Sequence, residues 1–319
     1  MVLDVAWGFI KGKLRTLALA QRLKRLTVPS LLLLTACSAS LPPKPADVSL
    51  HPPWHEKVVM LPGAPDRPVE LQVTLFVPDG AGPFPLAVLV HGLERGQIRS
   101  RERWRAPNAA RYFLSRGYMV ALPMARGFAG SGGEFDSKGC DVEADGIDKA
   151  QDLRGAIQAL SNDPKVDASR IVVLGQSYGG LATMALGALE PPNGVKALVN
   201  FAGGRRARYC ADDRINLIAA MASYGKHTTL PSLWFYGDND TVFPPAVWRP
   251  MFDAYRSQGG KATLVEIGNV LPDAHGYLAD PAGVASWAPQ LDSFLRSAGL
   301  PTTVQPEQLP QGSAASLPR

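Results

Sequence analysis

The sequence predicts an α/β fold: a mainly parallel central sheet with helices on both faces. Three observations carry this. Short continuous apolar runs, such as "LAVLVHG" (86–92) and "RIVVLG" (170–175), have the composition of strands covered on both sides. Between such runs, apolar residues recur at spacings of three and four, the period of a helix with one buried stripe. The two patterns alternate along the chain, and repeated βα units build parallel sheets flanked by helices.

Taken in order, "VELQVTLFVP" (69–78) alternates as a half-buried strand, and "LAVLVHG" follows as a buried one. "WRAPNAARYFLSRG" (104–117) reads as a helix stopped by Gly117, and "YMVALPMARG" (118–127) as the next strand. Ile147, Ala150, Leu153, Ile157 and Leu160 define a helix before the strand "RIVVLG". "LATMALGAL" (181–189) is a helix, and "VKALVNFAGG" (195–204), "PSLWFYG" (231–237) and "ATLVEIG" (262–268) are strands. Val284, Trp287, Leu291 and Phe294 place a final helix, with Trp234 and Trp287 expected in the core. Ligands of such sheets bind at the carboxyl ends of the strands, so residues just past each strand are the candidates for chemistry.

The chain has 319 residues, 46% hydrophobic and 19% charged, with a net charge of +5. That excess sits at the N-terminus. Lys11, Lys13, Arg15, Arg22, Lys24 and Arg25 face one acid, Asp4, within residues 1–36; removing these from the chain's 33 bases and 28 acids leaves 27 of each. A neutral body gives no support to nucleic-acid binding. No run reaches the ~20 apolar residues that span a bilayer. The bases at 22–25 precede a short apolar stretch, "LTVPSLLLLTA", in the manner of an export signal. It ends in "LTAC" (34–37), which resembles the lipobox of bacterial lipoproteins. That resemblance implies a signal peptide over 1–36 and lipidation of Cys37. Ser38 beside it implies the periplasmic face of the outer membrane, with this anchor as the membrane contact. The alternative is ordinary cleavage near Ala36 or Ala39, giving a soluble periplasmic protein. In an oxidising compartment the two remaining cysteines, Cys140 and Cys210, are expected to pair, the alternative being two buried thiols. Proline-rich residues 37–56 read as a tether, 57–297 as one domain and 298–319 as a disordered tail.

The chemistry centres on "VVLGQSYGGLATM" (172–184), where Ser177 stands between a buried strand and a helix, flanked by Gly175 and Gly179. A sharp strand-to-helix turn would strain the serine backbone and crowd both glycines, as in a nucleophile elbow. Such a serine needs a base, and the base needs an orienting acid. Of five histidines, His51 and His55 precede the domain and His227 precedes a strand. His91 ends a strand in "VLVHG" and is placed to shape the neighbouring loop. His275, in "DAHGYL", follows the last strand and is the candidate base. "GDNDTVFPP" (237–245) offers two acids, Asp238 and Asp240.

Gly175, Ser177, Gly179 and these ordered acid and base positions resemble the α/β-hydrolase superfamily, nearest the dienelactone-hydrolase and prolyl-oligopeptidase-like branch. The resemblance spans roughly residues 57–297. It implies the α/β-hydrolase fold with a small cap or none, and a triad of Ser177, Asp240 and His275. Gly237, Asp240 and Pro244 match the family's acid loop and favour Asp240 over Asp238. It further implies backbone oxyanion donors at Tyr178 and, from the loop of His91 and Gly92, at Leu93. A serine replaces the cysteine of dienelactone hydrolases proper. The expected activity is hydrolysis of a small carboxylic ester without cofactor or metal. A lactone hydrolase, a prolyl-oligopeptidase-like peptidase and a non-catalytic surface-binding lipoprotein are the alternatives. Arg205, Arg206 and Arg208 read as a solvated charged loop, with a substrate-carboxylate site as the second reading.

Overall fold

A computed structural model describes residues 55–93 and 98–305 of the chain. The lipobox with Cys37, the signal segment, most of the tether and residues 306–319 lie outside the described residues. No helix among the described residues is long and apolar enough to cross a membrane.

Eight strands form one sheet: β1 (His55–Pro62), β2 (Glu70–Val77), β3 (Phe84–Val90), β4 (Met119–Pro123), β5 (Val166–Gln176), β6 (Val195–Phe201), β7 (Ser232–Tyr236) and β8 (Ala262–Glu266). Their order is β1-β2-β4-β3-β5-β6-β7-β8. β1 pairs antiparallel with β2, and β2 antiparallel with β4. Every pairing from β4 to β8 is parallel. The all-apolar runs of β3 and β4 lie in the interior of the sheet and are buried along nearly their whole length. β1, at an edge, leaves Val58 and Met60 exposed, and its first residues are polar.

The crossovers are α1 (Pro107–Leu114), α2 (Val142–Ser161), α3 (Tyr178–Ala188), α4 (Asp213–His227), α5 (Pro245–Ser257) and α6 (Pro281–Ser297). α2 to α5 bury their apolar faces in one core cluster, which includes Leu153, Leu181, Met221 and Trp248. α1 and α6 cover the other face of the sheet through Phe113, Trp287, Leu291 and Leu295. Trp234 and Trp287 are fully buried, one in each layer.

The structure alters the sequence reading in four places. The strand β1 begins at His55, so the last two residues expected in the tether are paired with β2. Residues 298–305, expected in a disordered tail, pack on the domain. Leu300 is buried, the Tyr118 hydroxyl donates to the Pro301 carbonyl at 2.8 Å, and the Gln305 amide donates to the Ser115 carbonyl at 2.7 Å. The two hydrogen bonds use backbone groups of the segment, and a single buried leucine makes no apolar period. Third, the sequence reading passes over α4 and α5, although both carry buried residues at spacings of three and four: Leu217, Ala220, Met221 and Tyr224 on α4, and Val247, Trp248, Met251, Phe252 and Tyr255 on α5. The β6–β7 connection is thus a loop plus α4, which packs against α3 and α5 as a crossover helix. Fourth, Arg205 is no solvated loop residue. It is buried against Asp145, while Arg206 pairs with Asp213 and only Arg208 of the three is exposed.

Candidate active site

The parallel strands deliver their following residues to one edge of the sheet. β5 ends at Gln176, and the chain turns within one residue into α3. That residue is Ser177, at φ 55° and ψ −121°, a left-handed conformation costing a non-glycine residue about 1–3 kcal/mol. The surroundings enforce it. The Ser177 amide donates to the Phe201 carbonyl at 2.9 Å, and its carbonyl accepts from Gly180 at 2.8 Å and Gly204 at 2.9 Å. The flanking glycines have no room for a Cβ. At Gly175 one would stand 2.1 Å from the Gly179 carbonyl oxygen, and at Gly179 it would stand 2.1 Å from that of Val90.

Serine at a helix start usually caps it with its hydroxyl. Ser177 makes no such bond. Its Oγ lies 3.0 Å from Nε2 of His275, in the loop after β8, and Nδ1 of the same ring lies 3.1 Å from Oδ2 of Asp240. Asp240 follows β7, is fully buried at its side chain, and accepts from the Val242 and Phe243 amides through Oδ1, both at 2.8 Å. Asp238 points outward, 3.3 Å from Arg249. The structure therefore brings Ser177, His275 and Asp240 together and leaves Asp238 apart. The distances permit relay of a proton from Ser177 to His275, with Asp240 fixing the ring.

The loop after β3 also abuts Ser177. A Cβ on Gly92 would stand 3.1 Å from Cβ of Ser177, so this glycine carries the loop directly against Ser177, with the Leu93 amide next in the chain. His91 holds that loop. Its Nε2 accepts from the Ala125 amide at 2.9 Å, so its proton resides on Nδ1 and is donated to the Gly92 carbonyl at 2.8 Å. Burial above all, with a smaller effect from the Arg101 charge, lowers its pKa from 6.5 to about 4 against the opposing pull of the Gly92 bond. A neutral imidazole is what that donor–acceptor pair requires. Tyr178, the first residue of α3, has an amide at a helix N-terminus, where N–H groups lack intrahelical partners and favour negative charge.

Three residues that sequence reasoning missed support this set. Asp273 caps the turn carrying His275, accepting from the His275 amide at 2.9 Å and from the Thr241 hydroxyl at 2.5 Å, so it ties the base loop to the acid loop. Burial raises its pKa, but the Thr241 hydroxyl and the amides of His275 and Thr241 outweigh it and hold the carboxyl below its ordinary value. The spacing D-x-H is a capping signal that could have found it. Gln176 donates from its side chain to the His275 carbonyl at 3.0 Å. Asp145, on α2, accepts from the buried Tyr178 hydroxyl at 2.6 Å and pairs with Arg205 at 3.1 Å. Burial pushes the Asp145 carboxyl up, against the pull of Tyr178, Lys149 and Arg205. Nothing in its sequence neighbourhood marks Asp145, since the partner is distant in the chain.

Cys140 and Cys210 form a disulfide with 5.8 Å between Cα atoms, joining the segment before α2 to the loop after β6. Among the described residues no group of three or more His, Cys, Asp or Glu side chains is gathered to hold a metal ion.

The model of the X-Pro dipeptidyl-peptidase (S15) family matches residues 66–214, somewhat under half of the chain. That stretch holds His91, Gly92 and Ser177 but ends before Asp240 and His275. No curated protein matches the sequence. Among solved structures, the chain is similar to an acylaminoacyl peptidase of Pyrococcus horikoshii, with TM-score 0.59 and 17% identity, over 76% of this chain and 41% of that one. It is similar to an esterase of Pyrococcus furiosus, with TM-score 0.57 and 17% identity, over 80% of this chain and 94% of that one. A candidate dienelactone hydrolase of Klebsiella pneumoniae matches with TM-score 0.52 and 15% identity, over 76% of this chain and 99% of that one. The chain thus spans about two-fifths of the acylaminoacyl peptidase's length. Each of these three structures carries the name of a hydrolytic enzyme.

Proposed function

We propose that this chain, an α/β-hydrolase by fold, is a serine hydrolase of small carboxylic esters. The observation that carries the reading is the Ser177–His275–Asp240 line, at 3.0 and 3.1 Å, set on a strained elbow. Ser177 Oγ attacks the ester carbonyl as Nε2 of His275 takes its proton. The Tyr178 and Leu93 amides receive the developing oxyanion. The imidazolium then protonates the leaving alcohol, and the same nitrogen next deprotonates a water that attacks the acyl-enzyme, returning Ser177 and releasing the acid.

The ester reading is supported by the breadth of likeness: the chain covers 94% of the Pyrococcus esterase but 41% of the acylaminoacyl peptidase. The peptidase reading draws on the S15 match. Turnover of p-nitrophenyl esters beside alanine and Xaa-Pro p-nitroanilides decides between them; faster anilide cleavage overturns the esterase. Fluorophosphonate labelling of the wild type, abolished in Ser177→Ala, tests the serine mechanism itself.

We also propose export and lipid anchoring at Cys37. The lipobox sequence motivates this, and a disulfide suits an oxidising compartment. Metabolic labelling with radioactive palmitate should mark the wild type; equal labelling of Cys37→Ala would count against it.

A further inference from the structure

We propose that Asp145 is a positioning residue for the reaction at Ser177, fixing through the Tyr178 side chain the backbone amide that receives the oxyanion. The inference rests on the serine-hydrolase reading above. A trans peptide is planar, so the Tyr178 N–H points opposite to the Ser177 carbonyl with which it shares a plane. That carbonyl is held on its own side by the Gly180 and Gly204 amides, at 2.8 and 2.9 Å. The remaining freedom is rotation of the first turn of α3, and Tyr178 blocks it. The residue is 3% exposed, and its ring packs edge-on against Phe135, with centroids 5.9 Å apart. Its hydroxyl donates to Oδ1 of Asp145 at 2.6 Å.

Asp145 reaches the other side of the same peptide as well. Its Oδ2 lies 3.1 Å from Nε of Arg205, the residue after Gly204, whose amide holds the Ser177 carbonyl. Arg205 in turn donates to the Gly139 carbonyl at 2.6 Å, next to the disulfide. One carboxylate on α2 therefore braces both the residue after the nucleophile and the loop that clamps the nucleophile's carbonyl. Lys149 completes its surroundings, 3.4 Å from Oδ1. A fully buried carboxylate between two cations is weak evidence for stability, because its desolvation offsets most of the attraction. Its placement against the oxyanion peptide gives it a chemical purpose.

Tyr178→Phe removes one hydroxyl and keeps the ring. Asp145→Asn keeps an acceptor for that hydroxyl and removes the charge that Arg205 meets. Both are titrated for active sites with a fluorophosphonate, so that misfolded protein drops out of the count. The expected result for Tyr178→Phe is a kcat per labelled site about 10-fold lower on p-nitrophenyl acetate at unchanged KM. This is less than the roughly 10²–10³ lost when an oxyanion donor is removed outright. Affinity for a trifluoromethyl ketone, which forms a hemiketal oxyanion on Ser177, falls by the same factor. Asp145→Asn shows a loss of the same kind, since a neutral acceptor binds the hydroxyl less strongly and no longer offers Arg205 a charge. Wild-type kcat per site and wild-type ketone affinity in the variants overturn the proposal alone. A wild-type protein that takes no label and cleaves no ester overturns the serine-hydrolase reading, and this proposal with it.

Discussion

Asp240 holds His275 with one carboxylate oxygen and its own loop with the other. Oδ2 faces Nδ1 of the imidazole at 3.1 Å, while Oδ1 accepts from the Val242 and Phe243 amides. The acid therefore cannot turn without losing two backbone bonds, which fixes the ring plane that addresses Ser177. In Asp240→Asn the oxygen keeps the loop and the amide nitrogen meets Nδ1, which favours the tautomer with its proton on Nε2, the wrong nitrogen for a base. A fall of about 10³- to 10⁴-fold in kcat is expected with KM little changed. Asp238→Ala, outside this arrangement, should stay within twofold of wild type. Steady-state ester kinetics on the two variants check both; equal effects at the two positions would remove Asp240 from its role.

Gly179 marks the tightest contact between the elbow and the oxyanion strand. A Cβ there would stand 2.1 Å from the Val90 carbonyl and 2.6 Å from that of His91, both backbone atoms. Neither can rotate away, so β3 or α3 must shift. Gly179→Ala is expected to lose about 1–3 kcal/mol of stability by overpacking and, per folded molecule, to lose most of its activity as Gly92 is pushed off Ser177. Urea unfolding with active-site titration measures the two effects separately. A variant with wild-type midpoint and wild-type kcat would show that the contact accommodates a methyl group.

The layered fold and the grouping of Ser177, Asp240 and His275 are legible because they follow local rules. β3 and β5 are uninterrupted apolar runs, and Ser177, Asp240 and His275 each lie just past a strand. What the sequence withheld is what depends on distant contacts. Asp145 lies 33 residues before its partner Tyr178 on a helix whose other charges face similar positions, so its burial has no local signature. Arg205 reads as a solvated loop residue until the fold puts Asp145 beneath it. The 298–305 segment is held by one buried leucine, Leu300, and by backbone groups of Pro301 and Gln305, too little apolar pattern to read from sequence. The choice between Asp238 and Asp240 came from a resemblance; the structure supplies the physical reason, since only one of them faces inward.

His91 sets an acid limit on the folded state. Its folded pKa of about 4 lies below its ordinary 6.5 because burial disfavours the charged ring. Below about pH 6.5 the unfolded chain takes up a proton that the folded chain refuses, so stability falls as pH falls and the loss is complete near pH 4. At about 1.4 kcal/mol per tenfold change, the full loss is roughly 3 kcal/mol. His91→Gln, which can accept from Ala125 and donate to Gly92 without titrating, should lose less stability between pH 7 and pH 4.5 than the wild type, by about 2–3 kcal/mol. Urea midpoints at the two pH values test this. Carboxylates titrate alike in both proteins, so parallel losses would show that His91 is not the source.

The Cys140–Cys210 bridge closes a segment of 70 residues that contains α2, β5, the elbow, α3 and β6. Closing so long a loop restricts the unfolded chain, and a contribution of about 2–4 kcal/mol is expected. The bridge also borders the Gly139 carbonyl, which accepts from Arg205 and from Tyr209 at 2.6 and 3.0 Å, so its loss loosens the loop over residues 205–213 first. The Cys140→Ser/Cys210→Ser protein should therefore unfold at lower urea than the oxidised wild type and match the wild type in dithiothreitol. Limited proteolysis should cut both reduced forms after Arg206 or Arg208 while the oxidised protein resists. An unchanged midpoint in dithiothreitol, with the thiols shown to be free, would mean that packing alone holds the two loops together.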